Sequence, residues 1–269
     1  SGLGAGDLWG DRLERFLTIG RRDESIAAAN RELTREVATN EKCAKALLEP
    51  LRSEEMTLRM LRLNSRLNYH GNPLSLRHPL QNLNLLRWAG VDVCSNAPGE
   101  MLEVGPGKVG IGAVINELGW KVKILEKNGG LRLLGWLRGF SDCIEFELGR
   151  DSYKDLELSL RGLRVDLIVA IGVLNVFGFS SREQYEETLS VLTASIGGCG
   201  LWVTYDQPRR QRAHPAWATE EDAIAFRDSV FQSLGWKPHA PPADEDDLFH
   251  LGLNYGKGAH ISIWTHGGV

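Results

Sequence analysis

The sequence predicts an α/β protein, a doubly wound and mostly parallel sheet with helices on both faces, preceded by a helical appendage. Three observations predict it. From residue 101 onward, short apolar runs suited to buried strands alternate with helical segments, the pattern of parallel strands joined by crossover helices. Gly105, Gly107 and Gly110 follow the first of these runs and open a helical stretch, the setting a nucleotide-binding loop requires. The first 90 residues carry helical periodicity and no strand or hairpin signal. The expected division is an appendage over 1–95 and a nucleotide-binding domain over 96–269.

In the appendage, DRLERFLTIG puts Leu13, Phe16 and Leu17 on one helical face, and DESIAAANRELTREV carries Ile26, Leu33 and Val37 opposite charged residues. Ser53 caps a segment in which Met56, Met60, Leu61 and Leu63 recur at helical intervals. That methionine stripe reads as core rather than cofactor box. Gly71, Pro73 and Pro79 in NYHGNPLSLRHP break helical continuity. The strand candidates that follow are MLEV, KVKILE, CIEFEL, VDLIVAIG, GLWVTY and HISIWT. Ser181 and Gln184 form a capping-box pattern that starts the helix SREQYEETLSVLTASIG. Thr219 and Asp222 give a second, weaker one before a helix carrying Ala225, Phe226 and Val230, and the acidic loop ADEDDL (243–248) separates that helix from the closing strand.

Composition narrows the function classes. With 42% hydrophobic and 25% charged residues over 269 positions, the chain reads as a globular protein able to bury a sizeable core. No apolar run reaches the ~20 residues that span a bilayer and no leader pattern opens the sequence, so no membrane is expected and a cytoplasmic location is. Cys43, Cys94, Cys143 and Cys199 lie without metal-ligand spacing, which predicts inert thiols, no metal site and no disulfide framework. A net charge of -4 lacks the basic footprint of a nucleic-acid binder. The cluster Arg209, Arg210 and Arg212 reads as a solvated loop, or as a contact for an acidic substrate group.

The stretch MLEVGPGKVG holds the main functional signal. Glycines permit a tight turn and close approach of a ligand to the backbone, although they also serve plain strand-to-helix packing. Glu103 stands two residues before the first glycine, where a carboxylate suits a ligand's cationic amino group and opposes a pyrophosphate. Glu126 ends the next strand about 20 residues later, where a carboxylate takes both hydroxyls of a ribose. The remaining length suits a mononucleoside cofactor better than a dinucleotide fold with a separate catalytic domain.

The segments LEVGPGKVG, ILEKN, VDLIVAIGVLNVFG and GGCGLWVTYD resemble the class I, Rossmann-like S-adenosylmethionine-dependent methyltransferases over roughly residues 98 to 269. The resemblance implies a seven-stranded, mostly parallel sheet with an N-terminal helical lid and S-adenosylmethionine as cofactor. It also implies that Glu103, Gly105 and Gly107 bound the methionine end, Glu126 holds the ribose, Asp151 contacts adenine, and Ile171 and Gly172 line the cleft. Two departures stand out: the family's third glycine falls at Val109, with Gly110 one place later, and Val176 occupies the place of a common catalytic histidine.

Methyl transfer from a sulfonium needs alignment, exclusion of water and, for some acceptors, a base. The candidates are Asn175, which reads equally as a strand-end cap; Tyr205 at the end of the fifth strand; Asp206, a base or a loop anchor; and Tyr69 and His70, which close the cleft from the appendage or shape a turn. The expected activity is methylation of a small molecule. NPLSLRHPLQNLNLL resembles the region preceding the cofactor domain in nicotianamine-synthase-like enzymes, which implies attack on the γ-carbon instead, by aminocarboxypropyl transfer or by cyclisation to azetidine-2-carboxylate with release of 5′-methylthioadenosine. A noncatalytic cofactor-binding protein is the third reading. Pairing of appendage helices would give a homodimer.

Overall fold

A computed structural model of the protein describes residues 77–267, apart from 92, 94–96, 108–109, 138, 207–213, 245–246, 249–250 and 254–259. Most of the expected appendage, with Tyr69, His70 and the Ser53 cap, lies outside the described residues, as do Cys43, Cys94 and the three arginines of 209–212. The elements in chain order are α1 (Arg77–Trp88), β1 (Glu100–Val104), α2 (Gly112–Glu117), β2 (Lys121–Leu125), α3 (Gly129–Leu137), β3 (Asp142–Ile144), α4 (Tyr153–Ser159), β4 (Val165–Ile171), a 3-10 turn (Val176–Gly178), α5 (Arg182–Ala194), β5 (Ile196–Asp206), α6 (Glu220–Ser233), β6 (Lys237–His239) and β7 (His260–His266).

Seven strands form one sheet in the order β3-β2-β1-β4-β5-β7-β6. The pairs from β3 to β5 are parallel, whereas β7 runs antiparallel between β5 and β6. A strand covered on both faces must be apolar at successive positions, and Leu167 to Ala170 of β4 are all fully buried. Alternate side chains feed two separate cores. Met101, Leu167, Val169, Leu201, Val203 and Ile263 face one, packed with residues of α1, α2 and α3. Leu102, Val104, Ile168, Ala170, Trp202 and Trp264 face the other, under α4, α5 and α6.

Helix starts follow the expected capping chemistry. The Gln184 N–H donates to Ser181 Oγ at 3.1 Å, and the Asp222 N–H donates to Thr219 Oγ1 at 3.0 Å. Pro79 does not break α1; it sits in the first turn, where a missing N–H costs nothing. Leu83, Leu85 and Leu86 of that helix are buried in the same core as β1 and β4, so this end of the expected appendage packs against the sheet.

Three boundaries differ from the sequence reading. The run CIEFEL forms strand only as far as Ile144, because the main chain then turns: the N–H groups of Arg150 and Asp151 both donate to the Glu147 carbonyl. The helix from Arg182 stops at Ala194, and β5 begins at Ile196, well before GLWVTY. The seventh strand, Lys237–His239, is three residues long with a central proline and has no pattern to read.

Phe231 is the hub of an aromatic cluster. It stacks on Trp264 at 4.8 Å between centroids and meets Trp202 at 5.9 Å and Trp236 at 5.6 Å edge-on. Phe231→Ala is expected to cost about 3–5 kcal/mol in urea denaturation, since a ring of this size leaves a cavity beneath a rigid sheet. Burial raises the thiols of Cys143 and Cys199, with Asp142 and Asp166 respectively adding to it, and Cys143 is pushed up to about 11. With that raised value, the unfolded thiol ionises from pH 9 upward while the folded one does not. Stability should therefore fall between pH 9 and about 11, and Cys143→Ser should remove that part of the slope in denaturation curves.

Candidate functional site

In an open parallel sheet, ligands bind beyond the carboxyl ends of the strands, where the chain leaves neighbouring strands for opposite faces. Here that point lies between β1 and β4, which pair directly while β1 continues to α2 and β4 to α5 on the other side. The order 3-2-1-4-5-7-6 with β7 reversed decides the architecture. The fold is that of the class I methyltransferases.

No protein-family model matches the chain, and no curated protein matches it. Solved structures do. A TehB-like SAM-dependent methyltransferase from Corynebacterium glutamicum aligns with a TM-score of 0.46 and 16% identity, over 82% of this chain and 100% of its own. Magnesium protoporphyrin IX methyltransferase from Synechocystis, solved with SAM, gives 0.47 and 12% identity over 79% and 93%. A 1,6-didemethyltoxoflavin N1-methyltransferase from Burkholderia thailandensis, solved with its substrate and S-adenosylhomocysteine, gives 0.44 and 14% over 80% and 90%. Such distant likeness assigns no residue a role, and the site is read from this chain's own atoms.

The loop after β1 is held from below. Glu103 is buried, and its two carboxylate oxygens accept separately: the Ile111 N–H donates to Oε1 and the Gly112 N–H to Oε2, both at 2.8 Å. The carboxylate thus satisfies amides that open α2 and have no helical partner of their own. Gly110 and Gly112 make this possible, because a Cβ at either would stand 2.4 Å and 2.6 Å from the Glu103 oxygens. Gly110 therefore packs on a carboxylate within the chain. Gly107 differs: its φ is +58°, and a Cβ there would meet nothing within 4 Å. Gly105, at φ +63°, packs instead on Val173, whose Cγ1 would lie 2.4 Å from a Cβ there, so it is Gly107 that presents bare main chain to open space, as a ligand cradle requires.

Glu126 stands one residue past β2 and is buried; its Oε1 accepts from the Asn128 N–H at 2.9 Å. A carboxylate has roughly four acceptor positions, so this one keeps capacity for donors from a ligand. Asn128 Oδ1 in turn accepts from the Gly130 and Leu131 N–H groups at the start of α3. Asp151 is half-buried, and its Oδ2 accepts from the Glu147 N–H at 2.7 Å, closing the turn after β3. The Glu147 carboxyl lies below its usual range, first because Lys127 hydrogen-bonds to it at 3.0 Å.

At the ends of β4 and β5, Gly172 follows Ile171 and the Tyr205 ring lies against it, where a Cβ at Gly172 would be 3.3 Å from the ring edge. The Tyr205 hydroxyl donates to the Gly252 carbonyl at 3.1 Å. Asn175 is used as a cap: its Oδ1 accepts from the Phe177 N–H at 2.9 Å and its Nδ2 donates to the Tyr205 carbonyl, also at 2.9 Å. Asp206 is a loop anchor, fully buried; its Oδ1 accepts from the Val176 N–H at 2.7 Å and its Oδ2 is paired with Arg227. Burial alone lowers the Arg227 guanidinium, but Asp206, and after it Asp228, outweigh that and hold it above its usual value. Val176 is itself fully buried.

The structure therefore brings Glu103, Gly105, Gly107, Glu126, Asp151, Ile171, Gly172, Asn175 and Tyr205 to one end of the sheet. Sequence reasoning passed over Arg227, Asn128 and Arg132. A signal existed for the first: Ala223, Arg227, Val230 and Phe231 share one helical stripe and are all buried, so a charge there demands a buried partner. Among the described residues no cluster of His, Cys, Asp or Glu is placed to hold a metal, and no helix is long and apolar enough to cross a membrane.

Glu103→Gln offers one acceptor where two amides need one each. It is expected to cost about 1–3 kcal/mol of stability in chemical denaturation. An unchanged midpoint would show that the brace carries no weight.

Proposed function

We propose that this chain is an S-adenosylmethionine-dependent transferase that methylates a small molecule, with the cofactor lying across the carboxyl ends of β2, β1 and β4. The observation that carries the reading is the pairing of an unobstructed positive-φ turn at Gly107 with a buried carboxylate, Glu126, at the tip of the adjacent strand. The first suits the methionine end and the second a ribose. When bound, the cofactor supplies a methyl group on a sulfonium, whose thioether leaves without protonation.

The chain's own work is then alignment. Glu103 acts on the methionine end through the loop it braces, its two oxygens accepting from Ile111 and Gly112. Glu126 accepts from the ribose hydroxyls, and the turn fixed by Asp151 flanks the adenine. Ile171 and Gly172 wall the cleft. Asn175 and Asp206 fix the β4 and β5 loops against each other, which places the Tyr205 ring as an aromatic surface toward the acceptor side. An aromatic face there stabilises cationic charge and excludes water. The acceptor and any base enter from outside these strands, and Tyr69 and His70 are the proposed contributors from the appendage.

The chemistry is tested by incubating purified protein with S-adenosylmethionine and candidate acceptors. S-adenosylhomocysteine is the expected product. 5′-Methylthioadenosine formed without an acceptor would assign the γ-carbon reaction, and failure of calorimetry to detect any cofactor binding would remove the reading. Glu126→Ala should weaken S-adenosylhomocysteine binding by on the order of tenfold or more, the value of a hydrogen bond to a charged group.

A further inference from the structure

We propose that Arg132 is a positioning residue that gives this site its selectivity for ribose hydroxyls, acting through a single peptide group on the Glu126 carboxylate. The inference rests on the reading of Glu126 as the ribose acceptor.

Arg132 lies in the first turn of α3, and its side chain is only 17% exposed although it carries a full charge. Its guanidinium makes three hydrogen bonds. Nη1 donates to the Glu126 carbonyl at 3.0 Å and to the Lys127 carbonyl at 2.8 Å, while Nη2 donates to Glu145 Oε2 at 2.6 Å. The Lys127 carbonyl and the Asn128 N–H are the two ends of one planar peptide unit. One end accepts from Arg132; the other donates to Glu126 Oε1 at 2.9 Å.

The orientation of the carboxylate is therefore set by the tilt of that peptide plane, and Arg132 sets the tilt. The positive charge also polarises the peptide, which strengthens the N–H donor at its far end. The second contact, on the Glu126 carbonyl, fixes the backbone from which the carboxylate springs. The third reaches Glu145, just beyond β3, so one planar side chain ties the loop after β2 to the loop after β3. A lysine cannot reproduce this, because it lacks the rigid fork of donors.

A residue acting in this way changes how strongly the site distinguishes a ribose from a ribose without hydroxyls. A residue that merely stabilises the fold does not. The test measures calorimetric affinities of the full chain for 5′-methylthioadenosine and for its 2′,3′-dideoxy analogue, in the wild type, Arg132→Met, Arg132→Lys and Glu145→Gln, with thermal midpoints recorded in parallel. The wild type should bind the hydroxylated ligand on the order of tenfold or more tightly than the dideoxy one. In Arg132→Met that ratio should collapse to about two- or threefold, through loss of affinity for the hydroxylated ligand alone. Arg132→Lys should fall between, and Glu145→Gln, which leaves both carbonyl contacts in place, should keep the wild-type ratio.

A folded Arg132→Met or Arg132→Lys protein with an unchanged ratio, or with equal losses for both ligands, would overturn the role of Arg132 while leaving the cofactor reading intact. Should Arg132→Met fail to fold, the Arg132→Lys ratio alone decides. A wild-type protein that binds neither nucleoside would overturn both.

Discussion

A buried carboxylate near the end of β1 organises the loop that follows that strand. Glu103 sits where β1 gives way to its loop, and each of its oxygens accepts one backbone amide from the start of α2. Charge-assisted bonds of this kind are strong in a shielded setting, and an unpaired carboxylate there would be severely penalised. The loop is thus pinned at both ends of an eight-residue span, Glu103 to Ile111, with bare glycines at 110 and 112 making room for the oxygens. The turn at Gly107 lies within the span so held, with nothing within 4 Å of where its Cβ would be.

The acids at this end of the sheet divide the labour. Glu103 holds the loop after β1. Asp206, paired with the buried Arg227, holds the loop after β4 by accepting from the Val176 amide, and so connects α6 to the end of β4 across β5. Glu126 keeps a single backbone donor from Asn128 and stands next to a carbonyl-binding arginine. Two of the three are committed to backbone amides or a buried cation; the third, Glu126, is the acid proposed to face the ribose. The same rule of satisfying every buried polar group explains why Asn175 caps the 3-10 turn and buttresses Tyr205 instead of reaching outward.

Much of the fold was legible because its signals are local. Continuous apolar runs such as VDLIVAIG mark strands buried on both faces, and the Ser181 and Thr219 caps mark helix starts by side-chain chemistry that repeats everywhere. What escaped was set by distant partners. The strand signal in CIEFEL outran the strand because the Glu147 carbonyl is taken by amides further along. Three-residue β6 exists only because β7 is there to pair with it. At the site, positions were legible but intramolecular uses were not: nothing in the sequence announces the two amide partners of Glu103, since they lie eight and nine residues away on the far side of a glycine loop. Asp206 and Arg227 are 21 residues apart, and no short motif links them.

Hydrogen exchange read by mass spectrometry, with and without S-adenosylhomocysteine, tests most directly the claim that the turn after β1 and the carboxylate after β2 form one nucleoside cradle. Ligand-induced protection is expected in two separate stretches, residues 104–112 and 125–131, with α5 and α6 unchanged. Binding that protects neither stretch, or protection confined to the helices of the opposite face, would contradict it.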